Sequence, residues 1–342
     1  MDSRAAYLPN PLEAVELTLT RFVERRPWLG GDLQTLRNFI HPRSIDLSGF
    51  SIERVVLPLD DRGGDRAIGT LHRPVEPRPG RPLAILIHGL NGCENSQYMR
   101  VTSAHLLRAG FPVLRLNLRG AGPSRAFCRA RYHAGRSDDL RCAFAALPPH
   151  LTVNGVVAVG FSLGGNLLLK YLGEVERATP LLAAAAVSAP IDLMATAHRI
   201  MAPRNALYHW YFLHYCQSDV AAAGEGVAEE ERRASAAARS LWEFDERVTA
   251  PRNGFAGAAD YYTRASARNF LDGVAVPTLL VQAEDDPIVP AEPYRQHSWQ
   301  RNRRLLPAVE RKGGHVGFHD RRGGTWHDGT IQAFFERVLS LP

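Results

Sequence analysis

The chain has 342 residues, 45% of them hydrophobic, which is enough for one large domain with a sizeable core. Its formal charge of +6 comes almost entirely from arginine, with Lys170 and Lys312 the only lysines. The basic residues are interspersed with Asp and Glu and form no basic tail or aromatic-basic stripe, so no nucleic-acid partner is expected, although weak peripheral contact with an anionic membrane surface fits the charge. No run of eighteen apolar residues occurs, Met1 to Asn10 lacks a signal-peptide pattern, and Cys93, Cys128, Cys142 and Cys216 form no CxxC pair. A transmembrane segment, a disulfide framework and a metal site are therefore not expected, and a cytoplasmic protein with free thiols is.

In chain order, residues 1–50 read as a helical N-terminal arm, with one helix over Pro11 to Arg26 and a short one around Leu33 to Phe39. Ser51 to Pro58 and Ala67 to Leu71, joined by a Gly-rich turn, predict a β-hairpin at a sheet edge. The pattern then changes to continuous apolar runs, as strands buried on both faces require. These are Leu83 to Ile87, Phe111 to Leu118, Val156 to Val159, Leu181 to Ser188 and Pro277 to Gln282. Helices are predicted between or after them at Ser96 to Arg108, Arg136 to Leu147, Leu163 to Leu172 and Trp326 to Leu341. The alternation predicts an α/β fold with a mostly parallel central sheet and helices on both faces. It is interrupted over 193–273, which reads as a helical cap insertion splitting a core of 51–192 and 274–342.

The most informative stretch is Val156 to Asn166, a buried strand that ends in Gly160-Phe161-Ser162-Leu163-Gly164 and turns at once into a helix. A G-x-S-x-G at such a junction is a nucleophile elbow: glycines on both sides let strand and helix cross closely while the serine hydroxyl stands clear of the sheet. A serine hydroxyl is a poor nucleophile on its own. It needs a base, a carboxylate to orient that base, and N–H donors for the oxyanion. The acid is expected after a late strand, where Glu284-Asp285-Asp286-Pro287 lies; Asp286 is the choice, with Asp285 and Asp192 as alternatives, and one of the acidic pair is expected to cap the next helix. The base is expected in a loop before the final helix, where Gly313-Gly314-His315-Val316-Gly317-Phe318 places His315 between glycines. The oxyanion donors are expected to be the backbone N–H groups of Leu163 and of Leu90, the latter in the loop after His88-Gly89. His88 itself reads as a structural hydrogen-bonder, and His133, His198, His209, His214 and His319 as surface or packing residues.

These motifs resemble the α/β-hydrolase superfamily and, within it, the YheT-like esterase group. The resemblance covers most of the chain. It rests on Trp28-Leu29, Leu33-Gln34-Thr35, His88 to Gly92, Asn117 to Gly120, the elbow, Ala283 to Pro287 and Gly313 to Phe318. In the insertion it rests on Glu243-Phe244-Asp245, Thr249 to Pro251, Gly254-Phe255 and Asp260 to Tyr262. Asp32 stands where the group often has His, which bears on the N-terminal arm and leaves the triad untouched. The resemblance implies a Ser162–Asp286–His315 triad and cofactor-independent hydrolysis of carboxylic esters, with related members acting on acylglycerols or phospholipids or transferring acyl groups.

The expected function is thus a serine hydrolase acting on short- to medium-chain acyl esters. An acyltransferase using the same triad with an alcohol acceptor, and a non-catalytic binding protein of the same fold, are the rival readings. Asp245, Tyr261 and Tyr262 are expected to fix the insertion against the body, with substrate contact the alternative. The aromatic run around Trp210 fits an acyl-pocket lining and an insertion core equally well.

Overall fold

The apolar runs form the centre of one eight-stranded sheet. The computed structural model describes residues 20–42, 44–59, 63–223 and 226–340. The strands are β1 (Ser51–Pro58), β2 (Arg66–Arg73), β3 (Leu83–Ile87), β4 (Val113–Leu116), β5 (Val156–Phe161), β6 (Leu181–Val187), β7 (Thr278–Ala283) and β8 (Leu305–Glu310). Their spatial order is β1-β2-β4-β3-β5-β6-β7-β8. The β1–β2 hairpin sits at one edge, and both its internal pairing and its pairing to β4 are antiparallel; every pairing from β4 to β8 is parallel. Along β3, Leu83, Ile85 and Ile87 face one core while Ala84 and Leu86 face the other. This period of two explains why the central strands are apolar at every position.

Helices cover both faces. The helices used below are α1 (Gly31–Ile40), α2 (Gln97–Arg108), α3 (Asp138–Ala145), α4 (Leu163–Val175), α5 (Leu193–Met201), α6 (Ala206–Ala221), α7 (Glu229–Ala237), α8 (Ala258–Ala265) and α9 (Trp326–Leu339). Met99, Leu106 and Leu107 of α2 share a core with Ile331, Phe334 and Phe335 of α9. Leu140 and Phe144 of α3 share the opposite core with Leu167 to Leu169 and Leu172 of α4.

Two differences from the sequence expectations have physical causes. First, residues 20–26 are not helical; residues 11–19 of the expected helix lie outside the described residues. Instead Phe22 packs edge-on to Phe318 and against Trp326, Arg25 N–H donates to His319 O (3.0 Å), and Arg321 N–H donates to Val23 O (2.9 Å). The segment is drawn out alongside 319–321 because its hydrogen bonds go there rather than to itself. Second, the structure has a strand, β8, where the sequence shows no strand pattern. It carries Pro307, and of its six residues only Leu305 and Ala308 are buried, so it lacks a buried strand's apolar signature. It lies at the free edge of the sheet, where a missing N–H is tolerated.

Among the described residues, 193–273 contains helices and turns only. Asn166 ties its far end to the elbow helix: its Nδ2 donates to Ala134 O (3.1 Å) and Ala265 O (2.9 Å), and its Oδ1 accepts from Ala267 N–H (2.8 Å).

Candidate active site

Parallel strands deliver their following loops to one edge of a sheet, and that edge gathers the residues singled out above. Ser162 follows β5, Asp286 follows β7, and His315 lies beyond β8. Ser162 adopts φ 50° and ψ −123°, a region that non-glycine residues rarely occupy. The elbow tolerates no added atoms: a Cβ on Gly160 would lie 2.5 Å from Gly164 O, and one on Gly164 would lie 2.4 Å from His88 O.

The structure brings Ser162, His315 and Asp286 into one chain of contacts. His315 Nε2 is 2.9 Å from Ser162 Oγ, and His315 Nδ1 is 2.9 Å from Asp286 Oδ2. Asp286 is buried, and its second oxygen accepts the N–H groups of Ile288 (2.8 Å) and Val289 (2.9 Å). One carboxylate therefore both caps its own turn and orients the imidazole. The alternative acids are engaged elsewhere. Asp285 Oδ1 accepts Gly314 N–H (3.0 Å), and Asp192 accepts Ala195 N–H (3.0 Å) at the start of α5 while pairing with Arg268.

The loop after β3 runs directly beneath the serine, since a Cβ on Gly89 would lie 2.9 Å from Ser162 Cβ. Within this loop Gly89 N–H donates to Tyr98 Oη (3.0 Å), Asn91 N–H to Tyr132 Oη (2.7 Å) and Gly92 N–H to Gly89 O (3.1 Å). Leu90 N–H has no such acceptor among the described residues. Leu163 is the first residue of α4, so its N–H has no acceptor within the helix. His88 is fully buried, takes Leu118 N–H at Nε2 (3.0 Å) and places Nδ1 2.8 Å from Gly89 O. Burial lowers its pKa to about 4, so it is a neutral brace for the loop.

Over Ser162 lies an apolar cavity lined by Leu193, Ile200, Phe212, Phe244, Val248 and Ile288, with Leu90 and Leu163 at its floor. Asp245, Tyr261 and Tyr262 line it too; Tyr261 bonds outside 193–273, whereas Asp245 and Tyr262 bond to each other within it. Tyr262 Oη donates to Asp245 Oδ2 (2.6 Å), and Tyr261 Oη accepts Ala134 N–H (2.9 Å). The aromatic run divides: Phe212 reaches the cavity, His209 Nε2 accepts Leu241 N–H (3.0 Å), and Trp210 is 64% exposed, so it is neither lining nor core. Sequence reasoning missed Ser188, whose Oγ accepts Val316 N–H (3.0 Å) next to His315; its only signal was a hydroxyl at the end of an apolar strand.

The family model described as the alpha/beta hydrolase fold matches residues 82–321. The chain is 31% identical over 245 residues to the Escherichia coli protein YheT, covering 70% of this chain and 71% of that one. It is 31% identical to the Saccharomyces cerevisiae medium-chain fatty acid ethyl ester synthase/esterase 2, covering 76% of this chain and 63% of that protein. It is 30% identical to the Mus musculus phospholipase ABHD3, covering 72% of this chain and 60% of that protein. The chain thus spans somewhat less than two thirds of the yeast and mouse relatives. A solved Pyrococcus furiosus esterase shares the fold at a TM-score of 0.57 and 18% identity, covering 86% of this chain and 98% of that one. Together with the elbow and the sheet order, these matches establish that the chain belongs to the α/β-hydrolase family, in the YheT-like esterase group.

Proposed function

We propose that the protein is a serine hydrolase that cleaves carboxylic esters with short- to medium-chain acyl groups. The observation that carries this reading is His315 standing 2.9 Å from both Ser162 Oγ and Asp286 Oδ2. His315 Nε2 takes the Ser162 proton as Oγ attacks the ester carbonyl. Asp286 holds the other ring nitrogen and stabilises the imidazolium that forms. The N–H groups of Leu90 and Leu163 stabilise the tetrahedral oxyanion. His315 then returns the proton to the leaving alcohol, and water activated by the same imidazole releases the acyl group from Ser162. Residues 193–273 act as a cap whose apolar underside receives the acyl chain, consistent with a cavity lined by Leu193, Ile200, Phe212 and Phe244.

Substituting Ser162→Ala should lower ester hydrolysis about 10³-fold or more and abolish fluorophosphonate labelling without loss of fold. Labelling equal to wild type would overturn the mechanism. A second reading, acyl transfer to an alcohol, is favoured by the name of the yeast relative, which pairs synthase with esterase. Partition of the acyl group between water and added ethanol measures which acceptor dominates.

A further inference from the structure

We infer that Gln34 and Thr35 of α1 are positioning residues that set the placement of His315, an inference that rests on the triad reading above. The helix lies outside residues 82–321, the stretch matched by the family model, yet it packs against both loops that carry triad residues. On the histidine side, His315 N–H donates to Thr35 Oγ1 (2.8 Å). The Thr35 hydroxyl proton is committed to Gly31 O (2.6 Å), which turns a lone pair toward His315. One turn further along the loop, His319 N–H donates to Gln34 Oε1 (2.7 Å), while Gln34 Nε2 donates to Trp28 O (2.6 Å) and His319 O (3.3 Å). Gln34 is fully buried, so its amide orientation is fixed by these partners.

The two backbones also touch. A Cβ on Gly314 would lie 2.3 Å from Gly31 O, and one on Gly317 would lie 2.6 Å from Gln34 O. On the acid side, a Cβ on Gly31 would lie 1.8 Å from the carbonyl oxygen of Asp285, the residue before Asp286. The helix is therefore wedged between the acid turn and the histidine loop. Its position sets the spacing across which His315 Nδ1 meets Asp286. Neither Gln34 nor Thr35 lines the cavity over Ser162, so they act through His315 and not on substrate. Reacting groups displaced by about 1 Å lose up to roughly 10²-fold in rate, which is the scale on which a loosened clamp acts.

The test compares full-length wild type, Thr35→Val, Thr35→Ser and Ser162→Ala in steady-state hydrolysis of a soluble p-nitrophenyl acyl ester. It is paired with the downfield proton resonance of the His315 Nδ1–H held by Asp286. Removing the hydroxyl in Thr35→Val should lower kcat about ten- to a hundredfold with KM within about twofold, and weaken the resonance. Thr35→Ser, which keeps the hydroxyl, should restore both. If thermal melting shows that Val is not accommodated, Thr35→Ala removes the same hydroxyl without its methyl groups and is read the same way. A hydroxyl-free variant with kcat and resonance equal to wild type overturns the clamp. Absence of Ser162-dependent hydrolysis in wild type overturns the triad reading instead. The resonance then still decides the clamp, because it needs no turnover.

Discussion

At the scale of single residues, Asp286 performs two tasks that pull apart on substitution. Its Oδ1 accepts the Ile288 and Val289 N–H groups, and its Oδ2 faces His315 Nδ1. Asp286→Asn keeps an oxygen for the turn but presents an amide N–H to the imidazole. That favours the tautomer whose Nε2 carries the proton and points it at Ser162. A kcat loss on the order of 10³- to 10⁴-fold is expected, with little change in melting temperature. Asp285→Asn, which still has an oxygen for Gly314 N–H, should stay within about tenfold of wild type. A larger loss in Asp285→Asn than in Asp286→Asn in steady-state assays would move the orienting role to Asp285. The three side chains that meet here were legible because each stands in a motif with its own backbone demand: glycines around the serine, an acidic turn after an apolar strand, glycines around the histidine. The choice between Asp285 and Asp286 was less legible, since neighbours in a turn differ by a rotation that spacing does not encode.

At the scale of elements, the loop after β4 is held by a buried ion triad. Arg119 donates from Nη2 to Asp139 (2.7 Å) and from Nη1 to Asp65 (2.5 Å), and all three side chains are buried. Asp65 also accepts Arg129 N–H (2.7 Å) and Ala130 N–H (3.2 Å), so the triad staples 129–130 to the hairpin edge. Arg119→Met fills the space but removes the cation shared by Asp65 and Asp139, of which Asp139 still accepts Arg136 Nε (3.2 Å), and should destabilise the fold by about 3–5 kcal/mol in urea unfolding. A loss under about 1 kcal/mol would mean that the backbone donors to Asp65 and the Arg136 pair with Asp139 suffice to hold those carboxylates. Among the strands, the central ones buried on both faces, such as β3 and β5, were readable from their continuous apolar runs, and the β1–β2 hairpin from its Gly-rich turn. Edge strand β8, buried at only two positions, and the segment around Phe22, shaped by partners some three hundred residues away, depend on contacts that no local pattern records. Helix α6 was ambiguous for a related reason: its aromatic residues point in every direction, some to the cavity, some to solvent, so no stripe marks a buried face.

At the scale of the whole molecule, two buried groups, His88 beside the elbow and Asp245 in 193–273, respond to pH with opposite sign. His88 in the body has its pKa lowered from 6.5 to about 4 by burial. Between those values the unfolded chain binds a proton that the native state refuses, so this contribution is present above pH 6.5 and is lost as pH falls toward 4. Asp245 in the insertion has its pKa raised from 3.8 to about 6 by burial, opposed by hydrogen bonds from Thr249 and Tyr262. Its neutral carboxyl suits the apolar cavity. Its contribution is therefore complete below pH 3.8 and is lost as pH rises through 6, when a charge must sit beside Tyr261, Tyr262 and Cys216. Asp245→Asn removes that titration while keeping an acceptor for the Tyr262 hydroxyl. The melting temperature of this variant relative to wild type should climb between about pH 4 and 6 and then level off. Thermal melts across that window check the sign. A difference independent of pH would place the Asp245 carboxylate in contact with solvent, whereas a rising difference shows that the cavity keeps this carboxyl neutral, so that acid strengthens the contact at Asp245 while it weakens the one at His88.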